Sequence, residues 1–333
     1  LLTGAALLIV LWYGGLRVVN GHLTLGGFIA FLSYLGMLTW PAIAIGWVLN
    51  LIQRGAASMK RLGEIFDERP EIVEAAAPVT QPVRGELSFE NIAFQYQGTE
   101  KPVLHDLTFH VREGETVAVV GAIGSGKSTL LRLIARLYDV TEGAIRLDGI
   151  DLREWGLHAV RDAIGFVPQE TFLFSLSIRN NVRFGSPDKP EEQIRAACEL
   201  ARLTDDLARF PNDWETIVGE RGVLLSGGQK QRIAVARALA RDPKILILDD
   251  SLSSVDVKTE EEILRGLREF RKGRTTIIVS HRLSAVRDAD RILVLEDGTI
   301  RTVGTHRELI AGDGFYARLY ERQRITRELE ELE

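Results

Sequence analysis

Residues 121–128 read Gly-Ala-Ile-Gly-Ser-Gly-Lys-Ser, a complete G-x-x-x-x-G-K-[ST] pattern. The chemistry this spacing serves is phosphate binding. Gly121, Gly124 and Gly126 lack side chains, so backbone N–H groups can converge on phosphate oxygens, and a helix starting near Lys127 adds its positive end. Lys127 brings a point charge to the β- and γ-phosphates, and the Ser128 hydroxyl can ligate Mg²⁺. Ser125 and Thr129 belong to the same cradle. Further on, Ile245-Leu246-Ile247-Leu248-Asp249 is an apolar strand ending in a carboxylate, which suits the Mg²⁺ shell. The ligand these residues call for is a nucleoside triphosphate with Mg²⁺.

Such groups need a rigid support. Thr116–Val120 is a short apolar run entering the loop, and a helix is expected over Lys127–Leu137. Alternation over Leu87–Tyr96 and Val103–Val111 predicts antiparallel strands. Runs at Ile164–Val167, Ile245–Leu248, Thr275–Val279 and Arg291–Leu295 predict buried strands of a parallel sheet covered on both faces. Between Pro168 and Gly228 the pattern turns helical, which predicts a helical insertion. The 333 residues therefore divide into an N-terminal part over 1–67, a Pro- and Ala-rich linker over 68–84, an α/β domain over 85–325 and a helical tail over 326–333.

The N-terminal part has a different composition. Leu1 to Leu16 has no ionisable side chain except Tyr13, and Leu23 to Gln53 carries no charge. Two such runs predict two membrane-spanning helices, and because residue 1 is not Met the chain is expected to be a piece of a longer membrane protein. Arg54, Lys60, Arg61 and Arg69 follow the second run, so the positive-inside rule places the α/β domain in the cytoplasm and Asn20-Gly21-His22 outside. Pro41 removes one hydrogen bond mid-span. The net charge of −5 gives no general attraction to nucleic acid. The single Cys198 excludes an internal disulfide and reads as a small buried residue.

One more motif separates this chain from other phosphate-loop proteins. Leu225-Ser226-Gly227-Gly228-Gln229, opening a helix over about 228–241, resembles the signature of ATP-binding cassette (ABC) ATPases. With the phosphate loop and the apolar runs, the chain resembles the C-terminal part of an ABC exporter half-transporter: its last two membrane helices and its nucleotide-binding domain. The resemblance implies an α/β fold with a RecA-like parallel core, an antiparallel β subdomain and a helical signature subdomain. It implies ATP and Mg²⁺ as ligands, the lipid bilayer as surroundings, and a multi-pass place in the plasma membrane. It further implies that Tyr96 stacks on adenine and that Gln169 reaches Mg²⁺ and the attacking water. Ser251–Asp256 would communicate across a dimer, and His281 would contact the γ-phosphate. Ser226, Gly227, Gly228 and Gln229 would act on a nucleotide held by the partner. Glu220 and Arg221, in Gly219-Glu220-Arg221-Gly222, match the exporter loop that touches cytoplasmic extensions of the membrane helices, and the aromatics of 170–183 match a socket for a coupling helix.

The chain departs from the family at Asp250, where hydrolytic members usually carry Glu. Asp is one methylene shorter, and a misplacement of about 1 Å can cost ~10²-fold in rate. A complete signature beside a weakened base is the pattern of one member of a heterodimeric exporter, which is favoured over a homodimer in which Asp250 suffices. The cargo expected of a charge-free run is amphiphilic: drug, lipid or peptide. A soluble ABC ATPase, or a membrane-bound regulator that gates rather than pumps, are the other classes. The C-terminal run Arg318–Glu333, with Leu319, Ile325, Leu329 and Leu332, reads as a solvated helix or a short dimer zipper.

Overall fold

The apolar runs become strands that are buried on both sides. In the computed structural model, which describes residues 2–219 and 225–330, the strands are β1 (Leu87–Phe94), β2 (Leu104–Val111), β3 (Thr116–Val120), β4 (Glu142–Leu147), β5 (Ile150–Asp151), β6 (Ile164–Val167), β7 (Ile245–Asp249), β8 (Thr275–Val279), β9 (Arg291–Glu296) and β10 (Thr299–Gly304). Six of them form one sheet in the order β10-β9-β3-β8-β7-β6. Within it β9, β3, β8, β7 and β6 run parallel, and β10 closes the edge antiparallel to β9. Val117 and Val119 of β3 face one core while Ala118 and Val120 face the other; Ile245 and Ile247 of β7 oppose Leu246 and Leu248 in the same way. Two cores per strand leave no position for a polar alternate, which is why these runs read as unbroken Val, Ile and Leu.

The first core is shared with a second, antiparallel sheet of order β2-β1-β4-β5 and with the helix Lys127–Ile134, whose Leu130, Leu131, Leu133 and Ile134 are all buried in it. The second core is covered by the helices Glu191–Leu200, Gly227–Ala240 and Val257–Arg271. Between Pro168 and Gly228 stand the expected helices, at Ile178–Arg183, Glu191–Leu200 and Thr204–Leu207. Cys198 is fully buried there, and burial pushes its thiol up to about 12.

The stretch expected as a linker differs from that reading over most of its length, for the α/β unit begins at Glu71. Val79 donates to the Glu154 carbonyl and accepts from the Gly156 N–H, both at 2.9 Å. The buried Arg136 guanidinium donates to the Val73 carbonyl at 3.0 Å and to the Trp155 carbonyl at 3.1 Å. A Pro- and Ala-rich sequence without periodicity shows no secondary structure of its own, and here its backbone is satisfied by distant partners.

Residues up to Pro70 form the other unit. A helix Leu2–Val19 leads through a turn with Gly21 at φ 73° to the helix Leu25–Phe66, whose N-cap Thr24 accepts from the Gly27 N–H at 3.2 Å. The second helix continues through Pro41, has no buried residue, and is long and apolar enough to cross a membrane; Gly4–Val19 is a shorter apolar helix. Its 42 residues rise ~63 Å, about twice a hydrocarbon core, so the stretch bearing Arg54, Lys60 and Arg61 extends past the apolar span. Trp12, Trp40 and Trp47 are all exposed, as lipid-facing or interfacial residues would be. A Cβ on Gly14 would meet the Phe28 ring at 2.6 Å, so glycine lets the two helices approach there.

At the other end, the helix Phe315–Glu330 packs Tyr316, Leu319 and Tyr320 against the second core, while Ile325 is half exposed. Leu319 is therefore spent within the chain; the Leu329 side chain and Leu332 lie outside the described residues.

Trp155 ties the antiparallel sheet to the segment before it. It is fully buried, and its indole N–H donates to the Leu147 carbonyl at 3.1 Å. Trp155→Ala is expected to cost about 3–5 kcal/mol, seen as a lowered thermal midpoint and as faster proteolysis within residues 71–84.

Candidate nucleotide site

The parallel strands place their C-terminal ends side by side, and the phosphate-binding residues sit on those ends. β3 delivers the loop 121–126. A Cβ on Gly121 would lie 2.1 Å from the Leu295 carbonyl oxygen, and Gly126, at φ 99°, would meet Leu104 at 2.5 Å, so both positions require glycine. Gly124, at φ 83°, has open space where a Cβ would stand.

Lys127 follows at the first turn of its helix, 7% exposed. Its ammonium donates to the Gly121 and Ala122 carbonyls at 2.9 and 2.7 Å. Burial lowers its pKa, while the charges of Asp249 and Asp250 pull it back up. Asp249 ends β7, two strands away. Burial raises its carboxyl above the usual range and the neighbouring Asp250 adds to that, against a hydrogen bond from Ser128 and the charges of Arg132 and Lys127. Asp250 takes a left-handed conformation, φ 45°, with its N–H on the Val279 carbonyl at 2.8 Å. Its Oδ1 accepts the His281 N–H at 3.4 Å.

Gly124, Gly126, Lys127, Ser128, Thr129, Gln169, Asp249, Asp250 and His281 line one cleft of about 450 Å³. Gly121 and Ser125 stand beneath it, Ser125 within 3.5 Å of the Lys127 ammonium. Tyr96 is not among the lining residues but stands next to them. Its hydroxyl is 3.1 Å from Thr129 Oγ1, and its ring packs edge-on against Phe94 and Tyr138. Val103 and Ile123 also line the cleft, Ile123 almost fully exposed. No motif marks either, although Ile123 is a large apolar residue inside a glycine loop.

The donor set suits Mg²⁺, which takes one or two carboxylates plus phosphate oxygens: the Ser128 hydroxyl, the Asp249 carboxylate and the Gln169 amide are all hard oxygen ligands. The space beside Gly124 and the buried cation of Lys127 suit a phosphate.

Ser226, Gly227, Gly228 and Gln229 are apart from this cleft. They form the capped start of the helix Gly227–Ala240. Ser226 Oγ accepts the Gln229 N–H at 3.2 Å and Gln229 Oε1 accepts the Ser226 N–H at 3.0 Å, leaving the serine proton available to donate. A Cβ on Gly228 would meet the Ser254 carbonyl oxygen at 2.9 Å. Gln231, two residues further along, is marked by no motif, yet it donates to Ser253 Oγ at 3.0 Å and accepts the Ser254 N–H at 2.8 Å. Glu220 and Arg221 lie outside the described residues.

Asp249 carries a testable trade-off. A carboxyl whose folded pKa is raised weakens the fold at pH values above that pKa, where it must be ionised. Asp249→Asn is expected to raise the thermal midpoint of the nucleotide-free protein at pH 7.5 by on the order of 2 °C, and to abolish the extra stabilisation that Mg²⁺ gives over ATP alone. Scanning fluorimetry with ATP, with and without Mg²⁺, reads both.

Known proteins resemble this chain over nearly its whole length. Residues 104–253 match the ABC transporter family model. The chain is 44% identical over 325 residues to a probable multidrug resistance ABC transporter ATP-binding/permease protein, YheI, of Bacillus subtilis, covering 98% of this chain and 56% of that protein. It is 42% identical over 323 residues to an ATP-dependent lipid A-core flippase of Syntrophus aciditrophicus, covering 97% and 53%. A solved bacterial Atm1-family ABC exporter with ATP bound superposes with a TM-score of 0.79 at 37% identity, over 96% of this chain and 57% of that one. The chain thus spans about half the length of the relatives it matches. Its fold is that of an ABC nucleotide-binding domain preceded by N-terminal transmembrane helices, and its residues 104–253 carry the ABC transporter domain.

Proposed function

We propose that this chain is part of one subunit of an ATP-driven exporter in the plasma membrane, with its α/β domain in the cytoplasm. The observation that carries this reading is the position of Ser226–Gln229. A capped, glycine-opened helix start, built to meet an anion, lies outside the cleft that holds this chain's own phosphate loop. It serves a nucleotide only if a second subunit brings one to it.

In this cleft Lys127 and the loop N–H groups bind the phosphates, and Tyr96 stacks on the base. Ser128, Asp249 and Gln169 hold Mg²⁺, which when bound supplies positive charge against the triphosphate. His281 contacts the γ-phosphate, and Asp250 orients the attacking water. Two nucleotides held between two subunits draw the cytoplasmic domains together, and this closure shifts the membrane helices because ATP binds the closed arrangement better than the open one. A groove of about 370 Å³ lined by Phe172, Phe174, Phe184 and Arg237 suits a coupling helix of the assembled exporter. The similarity to a probable multidrug resistance transporter and to a lipid A-core flippase favours an amphiphilic cargo.

Asp250 favours a heterodimer. Its short side chain reaches back to the His281 N–H from a left-handed backbone that Asp tolerates better than Glu. This subunit then holds ATP for long periods and lends its signature to a partner site with the longer base. In the assembled transporter, Asp250→Glu is expected to raise hydrolysis at this chain's site by up to ~10²-fold, about 2.7 kcal/mol of barrier. Single-turnover hydrolysis of nucleotide bound to this chain measures it. Brisk hydrolysis by the unaltered site, with no gain from Glu, would instead favour a homodimer in which Asp250 suffices.

A further inference from the structure

The helix Phe315–Glu330 has no part in the phosphate chemistry above, yet one of its side chains holds the segment that carries His281. Tyr316, Leu319, Tyr320 and Gln323 recur at helical spacing and share one face. Tyr316 is buried with its hydroxyl 2.7 Å from His306 Nδ1, and Leu319 and Tyr320 pack on the second core. One turn later the same face brings Gln323 to the backbone of residues 281–283. Its Nε2 donates to the His281 carbonyl, and its Oε1 accepts the Leu283 N–H at 3.1 Å. Both ends of one amide are thus spent on the two peptide groups that flank Arg282. The His281 N–H points the other way, to Asp250 Oδ1 at 3.4 Å. Arg282 between them donates to the Ser253 and Val255 carbonyls at 2.7 and 3.0 Å.

We propose that Gln323 is a positioning residue for His281, which makes the C-terminal helix a working part of this chain's nucleotide site. The inference rests on the reading of His281 as a γ-phosphate contact. His281 lines the cleft while its carbonyl is held by Gln323. Releasing that carbonyl frees the peptide to rotate and carries the imidazole with it. Losing a neutral hydrogen bond is worth roughly two- to tenfold in an equilibrium, and misplacing a contact by about 1 Å can cost more.

The test uses the full-length subunit in its assembled membrane complex. Radiolabelled 8-azido-ATP is loaded with Mg²⁺, chased with unlabelled ATP and photo-crosslinked at intervals, so that label retained on this chain is read after separation on a gel. Gln323→Met keeps the bulk and removes both hydrogen bonds. It is expected to shorten retention about fivefold. His281→Ala is expected to shorten it at least as much, and the double variant to match His281→Ala within about twofold, because a residue acting through another adds nothing once that one is gone. Gln323→Glu, which keeps the bond from the Leu283 N–H and loses the donor to His281, is expected to follow Met and serves if Met fails to assemble. Retention within twofold of wild type for both Gln323 variants, or losses that multiply in the double variant, would overturn the inference and leave the His281 contact standing. A wild-type retention for His281→Ala would overturn that contact and the inference with it.

Discussion

The structure turns on burying a lysine beside two carboxylates. Lys127 sits under a glycine loop with its ammonium on backbone carbonyls, and burial presses it toward neutrality while Asp249 and Asp250 keep it charged. Asp249 suffers the same burial and is eased by Lys127 and Ser128. Isolated charges in such a place would be costly. They persist because β3 and β7 are fixed on either side of β8, and because Gly121 and Gly126 allow the loop to lie directly on Leu295 and Leu104. An anionic ligand with its metal is the chemistry that such an arrangement accommodates best.

From that centre, polar side chains spread order to segments with no phosphate contact of their own. Gln231 on the signature helix and Arg282 beside the histidine both hold the backbone of Ser253–Val255. Arg282 also pairs with Glu260, which is almost fully buried and accepts from the Ser284 hydroxyl as well. The start of the signature helix and the histidine at this chain's cleft are therefore fastened to one short loop. A displacement of that loop would be felt at both ends, a physical route by which the subunit pairing proposed above could be coupled to the cleft.

Much of this was legible in the residues. β3, β6 and β8 have the bounds their apolar runs predicted, because a strand buried on both faces leaves a continuous signal. Lys127, Ser128, Gln169, Asp249 and His281, each picked out by a motif, line one cleft. The misses share a cause. β4 contains Gly143 and two charged residues, Glu142 and Arg146, and pairs with β1 across roughly fifty residues, so its strand character comes from its partner. Residues 71–84 are pinned by Arg136 and by the backbone around Trp155, contacts that no local pattern announces. Gln231 and Gln323 act through hydrogen bonds to distant backbone, and glutamine on a helix ordinarily reads as surface. Sequence carries local periodicity and rare motifs well; it carries poorly those interactions in which a common residue meets the main chain far away.

The central claim is a division of labour, in which one chain's loop grips a triphosphate and another chain's Ser226-type helix start completes the site. It is tested most directly by placing Ser226→Arg in the assembled transporter and measuring two things at once, ATP retained on this chain and overall turnover. The account predicts that this chain's own ATP is kept with near-normal affinity while turnover falls by on the order of 10²-fold, because the lost contact belongs to the partner's nucleotide. Loss of ATP from this chain's own loop, or turnover that continues undiminished, would contradict it.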